Sequence, residues 1–372
     1  MKRTITSIAW GMALALGALP GPAATAQPEA VPGPKPAKQS AQYQLTSINT
    51  GTLTRCSAAD ISDSGFVIGN CAEGPFRFYR GRATPLERPA DLPASAIPVV
   101  NKINRAGEAI GTVTFPDGDP SYYWHEWTMR WGPGKPPQKI NDVELWNHWW
   151  DVIGVGDDGS VITLEKWTAG MITHRWYDGK WGDRRSSVWT YVRPRGVLED
   201  GSEIGMLDSP GAQPPEGSHF PAAYWWPQNV AEPQQLPSLN STKPASYSLE
   251  VAEHATRDGS WIVGRSVGTM VRWNSARQVE AIPGATFDDF LIGVDGGGRV
   301  VGGSAIPGSE RYGYFLWADG GRTQLDDIVA GIPQGWRISG IAGINSRGDI
   351  AATIATGSTE KPVLRPVVLH RI

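Results

Sequence analysis

The stretch Val294-Asp-Gly-Gly-Gly-Arg-Val-Val-Gly302 decides the fold, because related stretches recur along the whole chain. In each copy an apolar segment ends in polar turn formers, a glycine follows, and an apolar or β-branched run leads away. Glycine suits that point because a tight turn often needs a left-handed backbone conformation, which other residues adopt at a cost. Each copy therefore predicts a β-hairpin, and the shared glycines are Gly65, Gly107, Gly159, Gly201, Gly259, Gly298 and Gly348.

The spacing of these glycines indicates the architecture. Consecutive copies lie 39 to 58 residues apart, with a mean of about 47. This period is typical of four-stranded propeller blades and is too long for leucine-rich repeats. An aromatic third strand such as Tyr314-Phe-Leu-Trp317 follows most hairpins, and a short fourth strand such as Thr323 to Leu325 closes most units. The sequence therefore predicts an all-β chain that forms a single seven-bladed β-propeller over residues 43–372.

The two ends of the repeat region predict how the ring closes. The last unit has three strand-like segments, near 338–344, 349–356 and 365–370, and the printed sequence ends without a fourth. One strand is spare at the other end, since Tyr43-Gln-Leu-Thr-Ser-Ile48 precedes the first hairpin. We expect this N-terminal strand to complete the last blade, which would leave no long exposed sheet edge.

Composition excludes several classes of protein. With 45 Gly and 30 Pro in 372 residues, long helical bundles are excluded. A hydrophobic fraction of 40% and 17 Trp exclude a disordered chain. The formal charge of −3 provides no basic field for neutralising phosphates, so no nucleic-acid partner is expected.

The N-terminus has the pattern of an export signal. Lys2 and Arg3 precede an apolar run from Ile8 to Leu19, and Ala24-Thr25-Ala26 fits a signal-peptidase site. We expect a signal peptide over 1–26, a Pro/Ala-rich tether over 27–42, and a periplasmic or secreted mature protein. The apolar run is too short to cross a bilayer as a helix, so a retained anchor is the weaker alternative. No membrane span is expected in the mature chain, which we expect to be a monomer.

The two cysteines flank the first hairpin. If Ile61 pairs with Phe66, the same register places Cys56 opposite Cys71. That arrangement favours a disulfide in an oxidising compartment. A zinc site is the alternative, but it would need further ligands and no histidine lies nearby in sequence.

The repeat pattern resembles a known family. An I-N-x-x-G-x-I-V-G motif, followed by F-L-W-x-x-G and a short strand, is similar to the HAF-type repeats of exported bacterial proteins; the copies at 294–328 and 341–352 match best. The resemblance covers about 43–372. It implies an exported, propeller-like repeat protein and transfers no established catalytic residues.

Motifs for catalysis or cofactor binding are missing from the sequence. It contains no P-loop, dinucleotide fingerprint, HExxH, nucleophile elbow or paired CxxC. The segments Asp117-Gly-Asp119 and Asp157-Asp-Gly159 lack the spacing and the distal Glu of a calcium loop. No cofactor and no metal are therefore predicted, and catalytic residues stay unknown.

Tryptophans fall into two groups. One group occupies the aromatic strand of successive units, where large rings fill the gaps between sheets: Trp131, Trp176, Trp226, Trp273 and Trp317. A second group crowds the second and third units, above all in Leu145-Trp-Asn-His-Trp-Trp150. We expect this segment to connect two blades, on the face where propellers usually bind ligands.

The second group suggests a ligand surface. Aromatic rings can stack on a sugar while polar neighbours bond its hydroxyl groups. The predicted ligand-binding residues are Trp146, His148, Trp149 and Trp150, and packing between blades is the alternative.

Two functions compete at this point. The first is a binding module for a glycan or another cell-surface ligand. The second is a polysaccharide lyase or hydrolase with carboxylates and a histidine near the central channel. Glycosidic hydrolysis needs two carboxyl groups at a defined separation, which a linear sequence does not provide. Binding is preferred because no acid, base or nucleophile pattern stands out.

Overall fold

The computed structural model describes residues 40–372, apart from 117–123, 146–147, 168–169, 183–190, 209–220, 229, 231, 240–249, 310, 319 and 359. The expected signal peptide and most of the tether lie outside the described residues. Seven antiparallel sheets form a β-propeller ring, as predicted. In the part of the chain that is described, helix is limited to α1, Leu325–Ile328, and no helix is long and apolar enough to cross a membrane.

Each of the first three blades runs outward from its innermost strand in chain order. Blade 1 has β2 Ser57–Ile61, β3 Val67–Cys71, β4 Gly74–Tyr79 and β5 Arg82–Pro85. Blade 2 has β6 Val99–Ile103, β7 Ala109–Pro116, β8 Trp124–Trp131 and β9 Gln138–Leu145. Blade 3 has β10 His148–Val155, β11 Val161–Trp167, β12 Gly170–Tyr177 and β13 Lys180–Trp181.

Blades 4 to 6 repeat this order. Blade 4 has β14 Tyr191–Val197, β15 Glu203–Asp208, β16 Ala222–Trp226 and β17 Gln234–Gln235. Blade 5 has β18 Val251–Ala255, β19 Ile262–Ser266, β20 Thr269–Trp273 and β21 Val279–Ala281. Blade 6 has β22 Asp289–Val294, β23 Val300–Ala305, β24 Tyr312–Ala318 and β25 Gly321–Gln324.

Blade 7 joins the two ends of the ring. It contains β27 Arg337–Ile344, β28 Ile350–Thr356 and β29 Val363–Arg371, and its next strand is β1, Tyr43–Ser47. Since β1 pairs antiparallel with β29, the predicted closure is confirmed. A short strand that the sequence did not indicate, β26 Val329–Ala330, pairs parallel with the far side of β1.

The repeat glycines make the predicted turns. Each of the seven has a positive φ, between +68° and +89°. In blade 7 the amide of Gly348 donates to the carbonyl of Asn345 at 2.9 Å, and the amide of Asn345 donates to the carbonyl of Asp349 at 3.0 Å. The same pair of bonds recurs at five of the other six repeat hairpins. In blade 5 the second bond extends one residue further, from the amide of Thr256 to the carbonyl of Trp261.

A β-bulge interrupts the innermost strand of every blade. In each blade one extra residue lies six positions before the repeat glycine, as Asn101 does before Gly107, and blade 7 has a second bulge at Ser339. A bulge bends a strand and changes the direction of the local side chains. The bulged residues at this shared position are Ala59, Asn101, Ile153, Arg195, Glu253, Ile292 and Ala342.

The first of these bulges corrects one predicted register. Ile61 pairs with Val67 rather than with Phe66, so the prediction was wrong by one residue beside the turn. The bulge at Ala59 restores the predicted register, so that Ala58 pairs with Gly69 and Ser57 pairs with Asn70. The disulfide between Cys56 and Cys71 is therefore present as expected.

The first group of tryptophans is buried, as predicted. Each pairs with the first residue of the second strand of its blade, as Trp317 does with Val300. The indole of Trp131 donates to the carbonyl of Glu87, and the indole of Trp273 donates to the carbonyl of Pro237, both at 2.8 Å. These bonds tie the core of one blade to the segment that leaves the preceding blade. The exposed fractions are at most 4% for Trp131, Trp176, Trp226, Trp273 and Trp317.

Candidate ligand site in the central channel

The seven repeat hairpins lie at one end of the channel. We call this end the hairpin face and the opposite end the connection face. Neighbouring turns are joined through the residues two positions before the repeat glycines. The amide of Arg105 donates to Asp157 at 2.8 Å, and the amide of Ser346 donates to Asp63 at 2.7 Å. The amide of Glu199 donates to the carbonyl of Arg257 at 2.8 Å. This network ties the innermost strands together.

Arg257 crosses the channel at the hairpin face. It belongs to the turn of blade 5, but its guanidinium donates to the carbonyls of Ile103 in blade 2 and Val155 in blade 3, the latter at 3.1 Å. It also lies 3.8 Å from the carboxylate of Asp60 in blade 1. A side chain that reaches the opposite side of the ring obstructs passage, so a ligand would enter from the connection face.

Two cavities follow one another along the channel. A hairpin-side cavity of about 90 Å³ is lined by residues such as Asp60, His254 and Arg257. A connection-side cavity of about 520 Å³ lies among the innermost strands of blades 2, 3 and 4. Lys102, Ile153 and Arg195 line both. The larger cavity is within the range of small-molecule sites.

The β-bulges direct residues into the connection-side cavity. Three bulged residues line it, and β7, β8 and β11 supply part of the wall behind the innermost strands. The lining is mostly polar or charged. Its residues are Asn101, Lys102, Thr112, Glu126, Asp151, Val152, Ile153, Leu164, Arg193, Pro194 and Arg195.

Two buried oxygen atoms in this wall have no hydrogen-bond donor among the described residues. They are Oδ1 of Asn101 on β6 and Oε1 of Glu126 on β8. A buried polar atom without a partner costs about 1–3 kcal/mol, so most proteins avoid this arrangement. Both atoms would gain from a ligand that donates hydrogen bonds.

Glu126 is also electrostatically unusual. Burial raises its pKa to about 7, and the nearby carboxylate of Asp151 adds to the rise. At neutral pH the Glu126 carboxyl group therefore exists in both the protonated and the ionised form. A carboxyl group with such a pKa can donate or accept a proton, as general acid–base catalysis requires.

His254 lies beside the hairpin-side cavity and stays neutral. Burial lowers its pKa to about 3, and the positive charges of Lys102 and Arg195 lower it further, whereas a hydrogen bond to the backbone of Leu291 raises it. It is not among the residues that line the larger cavity. The two carboxyl groups and the histidine therefore do not line a common cavity.

The predicted ligand-binding residues are only partly described. Trp146 lies outside the described residues. The backbone of His148, Trp149 and Trp150 forms the start of β10. The expectation that these three residues belong to an inter-blade connection was therefore wrong. The connection itself has two residues, because β9 ends at Leu145. β10 continues directly into Asp151, which lines the connection-side cavity. Their role in ligand binding stays a prediction.

Sequence reasoning missed the cavity itself. Asn101, Glu126 and Arg195 come from three different strands and share no motif. A usable signal existed for two of them, since Asn101 and Arg195 each lie six residues before a repeat glycine. At the same position blades 1, 3, 6 and 7 carry alanine or isoleucine and blade 5 carries Glu253. A polar residue there therefore marks the blades whose channel-facing surface is polar.

No clustered metal site is found in the described parts of the chain, where no group of three or more His, Cys, Asp or Glu side chains could hold an ion.

Comparison with known proteins supports the fold. No family model and no curated protein matches the chain. Among solved structures it is similar to prolyl oligopeptidase B from Galerina marginata, at 12% identity and a TM-score of 0.51, over 85% of this chain and 51% of that chain. It is also similar to the β-propeller domain of the Trilobed protease from Pyrococcus furiosus, at 12% identity and a TM-score of 0.48, over 84% and 95% of the two chains. Identities this low indicate a shared propeller fold only.

Proposed function

We propose that the protein is an exported binding module that holds a glycan in the connection-side cavity. The observation that carries this proposal is the pair of buried oxygen atoms on Asn101 and Glu126, which have no donor among the described residues. A sugar presents several hydroxyl donors on a compact ring and could satisfy both oxygens at once. The cavity of about 520 Å³ is large enough for one or a few sugar units.

The position of β10 supports the same proposal. This strand begins with His148, Trp149 and Trp150 and supplies Asp151 to the cavity wall. Sites that bind sugars typically combine aromatic rings, which stack on the sugar, with polar groups that bond its hydroxyl groups. β10 carries both kinds of residue in sequence. The tryptophan-rich segment and the cavity are therefore proposed to serve one ligand.

Export is the second part of the proposal. The disulfide between Cys56 and Cys71 favours an oxidising compartment, such as the periplasm or the extracellular space. Mass spectrometry of the protein recovered from such a compartment should find an N-terminus at or near Gln27 and no free thiol. Alkylatable cysteines in the native, unreduced protein, or an intact residue 1, would contradict export.

Binding is tested by calorimetry on the mature protein after a glycan-array screen. Replacing Asn101 by Leu keeps the size of the side chain and removes its acceptor, so the affinity for a glycan should fall about tenfold. The matched control is Gln235→Leu on the outermost strand of blade 4, where the side chain is exposed and distant from the channel. A screen without any glycan ligand, or equal affinities for Asn101→Leu and the control, would overturn the proposal.

A second candidate function is a glycan-cleaving enzyme, favoured by the pKa of Glu126 near 7 beside Asp151. Glu126 would then act as the proton donor or acceptor of the reaction. Incubation of the protein with the glycan it binds would release new chain ends, and Glu126→Gln would abolish that release. Binding without release identifies a binding module.

A further inference from the structure

Two cationic side chains in the channel, Lys102 and Arg195, form no ion pair with a described carboxylate. Lys102 follows the bulge of β6 in blade 2, and Arg195 is the bulged residue of β14 in blade 4. Both line the two cavities, so they lie where these meet. The side chain of neither residue forms a hydrogen bond or an ion pair with another described residue. By contrast, the side chain of Arg257 at the hairpin face lies 3.8 Å from the carboxylate of Asp60.

The acidic groups nearby do not compensate for both charges. Burial raises the pKa of Glu253, whereas the charges of Arg265 and Arg195 lower it. Its carboxylate forms an ion pair with Arg265 at 3.3 Å and none with Arg195. Asp60 accepts hydrogen bonds from the amides of Ile61 and Ile103 at 2.9 and 3.0 Å. The larger cavity is lined by two carboxyl groups, Asp151 and Glu126, against three cationic side chains, Lys102, Arg193 and Arg195. Glu126 loses part of its charge at neutral pH, because its pKa is raised to about 7.

The positive charges of Lys102 and Arg195 affect the neighbouring side chain of His254. Besides burial, which is the main cause, the charges of Lys102 and Arg195 contribute to the low pKa of His254. Lys102 is half-buried and Arg195 is exposed to the channel, so both can reach a ligand. Two positive charges that line one cavity favour an anionic ligand. The guanidinium group is suited to a carboxylate or sulfate group, which it can bind through two parallel hydrogen bonds.

We propose that the glycan bound in the connection-side cavity is an acidic one, whose anionic group pairs with Lys102 and Arg195 while its hydroxyl groups donate to Asn101 and Glu126. This inference rests on the proposed function, because it names the chemical class of the ligand for the same site. A neutral glycan would leave both cations unpaired, and a small inorganic anion would leave the oxygen of Asn101 without a donor.

The test compares matched probes on the mature protein by calorimetry. The probes are trigalacturonate, its methyl ester, which keeps the remaining hydroxyl groups but lacks the charge, and a sulfated trisaccharide. We expect at least one of the two acidic probes to bind at least about tenfold more tightly than the ester, with an affinity that falls as NaCl is added. Preference for the sulfated probe alone identifies sulfate as the anionic group.

Variants assign the effect to the two cations. Lys102→Met and Arg195→Gln should each weaken binding of the acidic probe about tenfold and leave binding of the ester unchanged. Lys102→Arg and Arg195→Lys keep the charge and should retain most of the affinity, which separates a charge effect from misfolding. Lys180→Met and Arg82→Gln, at exposed positions on outermost strands, are the matched controls.

The outcomes of these experiments distinguish failure of the acidic-ligand inference from failure of the proposed glycan-binding function. Equal binding of the ester and of both acidic probes, or no effect of the variants at Lys102 and Arg195, overturns the acidic ligand and leaves glycan binding intact. Binding of neutral glycans alone on the array has the same meaning. Absence of binding to every glycan, charged or neutral, overturns both proposals.

Discussion

At the scale of single residues, Glu126 is the group whose state depends most on its surroundings. Burial and the charge of Asp151 raise its pKa to about 7, well above that of an exposed glutamate. The folded protein therefore holds a proton that the unfolded chain releases near pH 4.5. Stability associated with this proton is complete below that pH and is lost as the pH rises through 7.

Replacing Glu126 by Gln should remove this pH dependence. The variant should be more stable than the wild type at pH 8, by on the order of 1 kcal/mol, and nearly equal to it at pH 4. Chemical denaturation at the two pH values measures the difference. The control is Glu232→Gln at an exposed position, which should change stability little at either pH. A constant difference across the pH range would contradict the raised pKa.

The same group should make binding of an acidic glycan depend on pH. Above pH 7 the ionised carboxylate of Glu126 adds a negative charge to the cavity, and that charge repels an anion. We expect affinity to fall as the pH rises from 6 to 8, and the Glu126→Gln variant to lose most of that decrease. Calorimetry at three pH values provides the measurement, and a pH-independent affinity in the wild type would argue against it.

Arg257 is the residue that joins opposite sides of the ring. Replacing it by Met leaves the carbonyls of Ile103 and Val155 without this donor and Asp60 without its cation. We expect a loss of about 2–4 kcal/mol in the free energy of unfolding. Arg82→Met, at an exposed position, should cost less than about 0.5 kcal/mol. Equal melting curves for the two variants would show that the crossing does not stabilise the ring.

At the scale of strands, closure depends on β1. This strand pairs with β29 on one side and with β26 on the other, and Tyr43 is fully buried in the core of blade 7. Deleting 43–47 would expose both edges, so the melting temperature should fall by many degrees, and Tyr43→Ala alone should cost about 3–5 kcal/mol. Tyr177→Ala, at an exposed position, is the control for Tyr43→Ala and should change the melting temperature little. An unchanged melting temperature without β1 would contradict closure by this strand.

The first part of β10 carries the tryptophans predicted to bind the ligand. Replacing Trp149 and Trp150 by Ala should weaken glycan binding by about 1–3 kcal/mol each while leaving stability nearly intact. If they instead fill the core, each substitution should cost about 3–5 kcal/mol of stability. Titration and thermal melting of both variants distinguish the two roles, and Trp181→Ala at an exposed position is the control.

Comparison of sequence and structure shows which features of the fold a repeat pattern predicts. The glycine hairpins, the buried tryptophans such as Trp317 and the closing strand follow from local patterns, because each depends on turn conformation or on periodic burial. The register beside Ala59 was wrong because a bulge has no distinctive residue type. The cavity was missed because Asn101, Glu126 and Arg195 meet only when separate blades close into a ring.

At the scale of the whole molecule, the two ends of the channel differ in how well their polar groups are paired. Hydrogen bonds between turns and the Arg257 side chain hold the hairpin face together. The connection side of blades 2 to 4 instead has two buried oxygen atoms, on Asn101 and Glu126, without a donor among the described residues. It also has the side chains of Lys102 and Arg195, which form no ion pair with a described carboxylate. This asymmetry is the basis for placing a glycan there.

A crystal structure of the mature protein grown with an acidic oligosaccharide tests this account most directly. We expect density for the sugar between β6, β8, β10 and β14, with its anionic group near Lys102 and Arg195 and a hydroxyl group within hydrogen-bond distance of Asn101 Oδ1. Density on the outer strands of the blades or at the hairpin face, with the connection-side cavity free of sugar, would contradict it.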